Sequence, residues 1–127
     1  MSGEWATGFG WVIINGVKFE HDVLVLPDGS VVRRRKELSS DLRGKFGHTP
    51  FSLKEFDALL HVSPCTPETL VIGSGQYDDL PVMKDVLEKA ERLGIRVIIK
   101  RTPEALTILK ELLSSDKCVA GVLHVTC

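Results

Sequence analysis

Three groups of residues have types and spacings suited to chemistry. Gly73-Ser74-Gly75 follows an apolar run and precedes a helix-forming stretch. Glycines beyond the carboxyl end of a strand let backbone amides approach an anion closely. The dinucleotide fingerprint is incomplete, since Asp78 stands where a further glycine belongs, and no Gly-Lys-Ser/Thr phosphate loop follows. Ile72 replaces the first glycine of a nucleophile elbow. Asp78 and Asp79 would repel a phosphate, and helix capping accounts for one of them more simply. The segment therefore reads either as a tight structural turn or as a loop lining an anion pocket.

The second group is Arg33-Arg34-Arg35-Lys36. On a strand, Arg33 and Arg35 point one way and Arg34 and Lys36 the other. Four cations cannot all be buried unpaired, so at least two face solvent or meet carboxylates. The run suits an anionic small molecule or an acidic protein surface, or it is a solvated edge strand guarded against mispairing. Nucleic acid is the weakest option, because no aromatic residues interleave for base stacking.

The third is His124, on an apolar strand with Cys118, Ala120 and Val122 on its face. It is either an acid, base or ligand near neutral pH, or a core histidine donating one hydrogen bond. Three residues away on a continuous strand, Cys127 points to the opposite face, which argues against a shared zinc ion. Nothing in the spacing brings Ser74, His124 and an aspartate together as a hydrolase triad. No catalytic residue, metal or cofactor is assigned, and whether the chain is an enzyme is left open, leaning against one. The candidate ligand-binding set is Arg34, Arg35, Gly73, Ser74, Gly75, Thr102 and His124.

The elements that must position these groups are legible. Strands are expected from Phe9 to Ile14, through Val17–Phe19 after an Asn15-Gly16 hairpin turn, from Asp22 to Leu26, and from Ser30 to about Arg35 after Pro27-Asp28-Gly29. Residues 36–50 read as a loop. Ser52 and Glu55 form a capping box ahead of a helix whose inner stripe is Leu53, Phe56, Leu59 and Leu60.

A buried strand at Thr69–Ile72 precedes a helix starting near Pro81, with Val82, Met83, Val86, Leu87, Ala90 and Leu93 inward and Asp85–Lys89 paired outside. Gly94 stops it before a strand at Ile95–Ile99. Thr102 then caps a third helix with Ala105, Ile108, Leu109 and Leu112 buried, and Cys118–Val125 is the last strand. The expected fold is α/β, a single layered domain over 1–127 with an N-terminal β-meander and a mixed central sheet flanked by helices.

The 127 residues are 43% hydrophobic and 26% charged with a net charge of −1, the balance of a globular protein without a global pull toward nucleic acid or anionic membrane. No apolar run reaches the roughly 18 residues of a membrane span. The segment beginning Met1-Ser-Gly-Glu lacks the basic start and apolar core of a secretory signal. Three cysteines, Cys65, Cys118 and Cys127, suit reduced thiols in a cytoplasmic setting better than a disulfide scaffold. Cys65, between two prolines, is expected in an exposed connector.

Asp28-Gly-Ser-Val31, Arg34-Arg-Lys-Glu37, Ile72-Gly-Ser-Gly75, Thr102 with Glu104-Ala105, and Val119-Ala120 with Leu123-His-Val-Thr-Cys127 resemble a small-domain family. It includes archaeal and bacterial proteins of unassigned function, a human adipogenesis-associated protein and a mitochondrial complex I assembly factor. The likeness runs from about Phe9 to Cys127. It implies a mixed sheet with helices on its faces and an added β-layer, no established activity or cofactor, and roles in protein assembly or partner binding. Leu109-Lys110 departs from the aromatic-Asn pair of many members, so any role of that amide is lost here. The expected function is a non-enzymatic binding, assembly or adaptor module, acting on a protein partner or on itself. The alternative is an anionic-ligand binder or enzyme with a pocket beyond Gly73-Ser74-Gly75.

Overall fold

Alternating apolar residues along the strands sort themselves onto the two faces of a central sheet. The computed structural model describes residues 3–42, 49–115 and 117–127; Met1, Ser2 and residues 43–48 of the expected 36–50 loop lie outside the described residues. Strands β1 (Ala6–Gly8), β2 (Trp11–Ile14) and β3 (Val17–Phe19) form an antiparallel sheet of their own. Asn15 and Gly16 both adopt positive φ, 51° and 81°, giving the two-residue turn read from their types. The strand expected to start at Phe9 starts at Trp11 instead. Phe9 and Gly10 make a second tight turn, with Gly10 at φ 87°.

The rest of the expected meander belongs to the main sheet. Strands β4 (Val23–Val25), β5 (Val31–Arg33), β6 (Thr69–Ser74), β7 (Arg96–Lys100) and β8 (Val119–His124) lie in the order β5-β4-β8-β6-β7. β8 runs parallel to β6 and antiparallel to β4, and β6 and β7 are parallel. The central β6 and β8 are almost wholly buried, as expected for strands covered on both faces.

Helices α1 (Leu53–Val62) and α2 (Lys84–Arg92) cover one face, where Phe56, Leu59, Val86 and Ala90 meet Leu24, Leu70, Ile72 and Val122. Helix α3 (Thr102–Leu113) and the small sheet cover the other, where Ala105, Leu106, Leu109, Val12 and Ile14 meet Val23, Val71 and Leu123. Lys36–Leu42, part of the expected loop, is a 3-10 segment. No helix among the described residues is long and apolar enough to cross a membrane.

Several boundaries differ from expectation. α2 starts at Lys84, because the Pro81 carbonyl accepts the Phe51 amide at 2.8 Å and Phe51–Val82 form a short parallel bridge. Leu87 and Leu93 are exposed at 39% and 46% rather than inward. Lys89 reaches Asp57 on α1 instead of pairing with Asp85. Thr102 does not cap α3 but is its first residue, following Arg101 at the cap position. The reduced-thiol expectation is also corrected. Cys65, exposed in its connector, is joined to Cys118 by a disulfide across 53 residues with Cα atoms 6.3 Å apart, and Cys127 is the free thiol.

Candidate functional site

Strand register alone assembles a polar row at one end of the sheet. Val23 pairs with Arg33 on one side and Leu123 on the other. One residue back, Asp22 therefore lies between Arg34 and His124, and His124 pairs in turn with Ser74. Residues opposite one another in register share a face. Arg34, Asp22, His124 and Ser74 thus align across the carboxyl ends of parallel β6 and β8.

Asp22 is the hub. Its Oδ2 accepts from Arg34 Nη1 at 2.8 Å and meets His124 Nδ1 at 2.7 Å, while its Oδ1 accepts the Val125 amide at 2.9 Å. Lys36 Nζ lies farther off, 3.5 Å from Oδ2. Burial by itself pushes the Asp22 carboxyl up. The His124 hydrogen bond and charge, the Val125 amide and the Arg34 guanidinium outweigh burial and hold it far below the usual carboxylate range.

Arg34 is fully enclosed. Its Nε and Nη2 donate to the two oxygens of Glu55 at 2.7 and 2.9 Å, and Nη2 also reaches the Thr49 and Pro50 carbonyls. Burial pulls the guanidinium down, but Glu55 and Asp22 raise it overall, so it stays charged. Ser39 Oγ bonds Glu55 Oε2 and Ser52 Oγ, both at 2.5 Å. The capping box is therefore half formed. Ser52 accepts the Glu55 amide at 3.4 Å, but the Glu55 carboxylate is committed to Arg34.

The diglycine segment does converge on His124, and it is already occupied. Thr102 Oγ1 accepts the Gly75 amide at 2.9 Å and donates to the His124 carbonyl at 2.5 Å. A side chain at Gly73 would strike Thr102 Oγ1. Ser74 Oγ donates to Asp78 and stands 3.1 Å from the Lys100 carbonyl. The amides of Gln76, Tyr77 and Asp79 donate to the Thr126 and Cys127 backbone oxygens at 2.8–3.0 Å. The loop amides that an external anion would need are thus engaged with residues 126 and 127. Arg35 stands apart, paired with Glu37 at the surface.

Open space lies elsewhere. A cleft of about 290 Å³ is bordered by Gly10, Glu20, His21, Arg33, Lys36 and Thr126, with Asp22 and Arg34 beneath. His124 Nε2 stands 3.3 Å from Thr126 Oγ1, which places that hydroxyl between the imidazole and the cleft. A second groove, about 240 Å³, runs between β5 and α1 and is lined by Leu24, Leu26, Val32, Ala58 and Val62 with Arg33 and Arg35. Of the sequence candidates, Arg34, Ser74, Gly75, Thr102 and His124 meet at one rim, and only Arg34 lines the cleft. Lys36 was read only as part of the basic run and Glu55 only as a helix cap, while Asp22 and Thr126 were missed. Among the described residues no group of three His, Cys, Asp or Glu side chains could hold a metal.

A family described as Protein of unknown function (DUF498/DUF598) matches residues 5–124. The conserved hypothetical protein PH1505 from Pyrococcus horikoshii OT3 is 33% identical, covers 100% of both chains and superposes with a TM-score of 0.83. A structure named MT938 is 31% identical over 96% of each chain, with a TM-score of 0.74. Protein XCC1710 from Xanthomonas campestris, 19% identical over 98% of this chain and 86% of its own, has a TM-score of 0.69 and shares the fold. No curated protein sequence matches this chain.

Proposed function

Because this chain belongs to the DUF498/DUF598 family of proteins of unknown function, we propose a role read from its surface, that of a non-enzymatic protein-binding module. The ligand is an extended acidic segment of a partner protein laid along β5. The observation that carries this reading is the groove itself. β5 ends the five-stranded sheet, and beside it Val32 and Val62 remain 41% and 52% exposed. Bonds from the Leu26 amide to Ser30 and from the Arg34 amide to Asp22 mark the residues of this hairpin that face inward. Alternation leaves the backbone groups of Val31 and Arg33 on the outer edge, the arrangement that added strands use.

Arg33 and Arg35 flank the apolar floor and favour acidic residues in the incoming segment. The resemblance to the human adipogenesis-associated protein and the complex I assembly factor supports an assembly or adaptor role by analogy. The reading keeps the chain in the cytoplasm, where the Cys65–Cys118 bridge would have to withstand cellular reductants.

Affinity purification at native expression, with the wild type beside a Val32→Lys/Val62→Lys variant, tests it. Both positions are exposed, so folding is retained. A reproducible partner lost with the variant supports the reading. No partner, or equal recovery by both proteins, rejects it. Self-association abolished by the same substitutions would identify the incoming strand as a second copy instead.

A further inference from the structure

The cleft above Asp22 shares only Arg33 with the β5 groove, and its charges are unequally committed. Asp22 Oδ2 already has two close partners, Arg34 and His124, at 2.8 and 2.7 Å. Lys36 is the third side chain at the same oxygen, and at 3.5 Å it lies beyond good hydrogen-bond distance with its side chain 47% exposed. Arg33 is exposed, and among the described residues no carboxylate lies within ion-pair distance of it, although its charge acts on Glu37. Arg34, held between Asp22 and Glu55, has no charge to offer a ligand. The mouth of the cleft therefore presents two weakly committed cations, Lys36 and Arg33, against one carboxylate, Glu20, which is exposed. The Thr126 hydroxyl, backed by His124, adds a neutral polar contact.

We propose that this cleft binds the carboxylate or phosphate group of a small molecule, with Lys36 as its principal contact. The volume, about 290 Å³, suits a compact metabolite. Binding draws the Lys36 ammonium away from Asp22 onto the ligand. Asp22 tolerates this because its two shorter partners and the Val125 amide stay in place.

The test is an amide NMR titration of the whole chain with inorganic phosphate and, separately, with succinate, against sodium chloride of matched ionic strength. Saturable shifts at Gly10 and Thr126 are expected with at least one of the two anions and not with chloride. Saturation by phosphate alone identifies a phosphate-bearing ligand, and saturation by succinate alone a carboxylate. Lys36→Ala should weaken binding about tenfold or more, the loss of one charge-assisted contact. Glu20→Gln should tighten it. Both residues are exposed, so neither change threatens the fold. The Val32→Lys/Val62→Lys variant should bind the anion like wild type, which separates this site from the groove. Failure of both anions to saturate, or an unchanged dissociation constant in Lys36→Ala, overturns the proposal.

Discussion

At the residue scale, Arg34 joins two carboxylates that cannot both be left in the interior without it. Arg34→Met removes the cation and strands Asp22 and Glu55 under the sheet, each nearly inaccessible to water. Breaking a buried pair in this way costs about 3–5 kcal/mol, a large share of a typical domain's stability. Urea denaturation should show the midpoint falling accordingly. Acid should attack the same cluster from the other side. Folded Asp22 ionises well below its unfolded value of about 3.9. The folded state therefore binds fewer protons than the unfolded chain in that range, and stability rises with pH. The contribution is fully present above about pH 5 and is lost as pH falls toward the folded pKa. Urea midpoints should hold level between about pH 6 and pH 5 and decline from there toward pH 3. Half of this cluster was within reach of the sequence. Pro27-Asp28-Gly29 fixes the hairpin register, and counting back from Leu26 opposite Ser30 sets Asp22 opposite Arg34. The His124 contact spans 102 residues and depends on strand order, which no local pattern encodes.

At the element scale, the segment after β6 shows how a glycine signal can be local in origin and structural in use. Gly75 has φ +104°, and a Cβ there would overlap the Cys127 backbone and stand 2.8 Å from His124 Cδ2. Gly75→Ala therefore combines conformational strain of about 1–3 kcal/mol with a backbone overlap that no rotamer relieves. Gly94→Ala is the control. It has φ +73° but open space around it, so it should cost only about 1 kcal/mol. Thermal unfolding of the two variants should separate strain from overlap. Positive φ at such a glycine was foreseeable from residue type, whereas its filling by residues 126–127 was not. Helix periodicity fared similarly. Phe56 and Leu59 of α1 are buried as their stripe predicts, whereas Leu87 on α2 and Leu93 just beyond it stay exposed.

For the whole molecule, the disulfide ties the connector after α1 to the start of β8. Its 53-residue span corresponds to about 4 kcal/mol in the chain-entropy account. Reduction, or Cys65→Ser, should lower the melting temperature by about 10–15 °C; an unchanged melting curve in reductant would show that the bridge contributes nothing. The fold class was readable because β6, β8 and their helices follow strong periodicities, but partition of the first five strands between two sheets was not. β2 and β4 carry similar apolar patterns, and only packing decides that Val12 and Val23 belong to different layers. The position of β8 has a consequence for biosynthesis. It is inserted between β4 and β6, so a ribosome that has not yet delivered residues 119–124 holds two half-sheets with facing unsatisfied edges. Nascent chains of this protein should depend on chaperone shielding until that last ribbon threads between them.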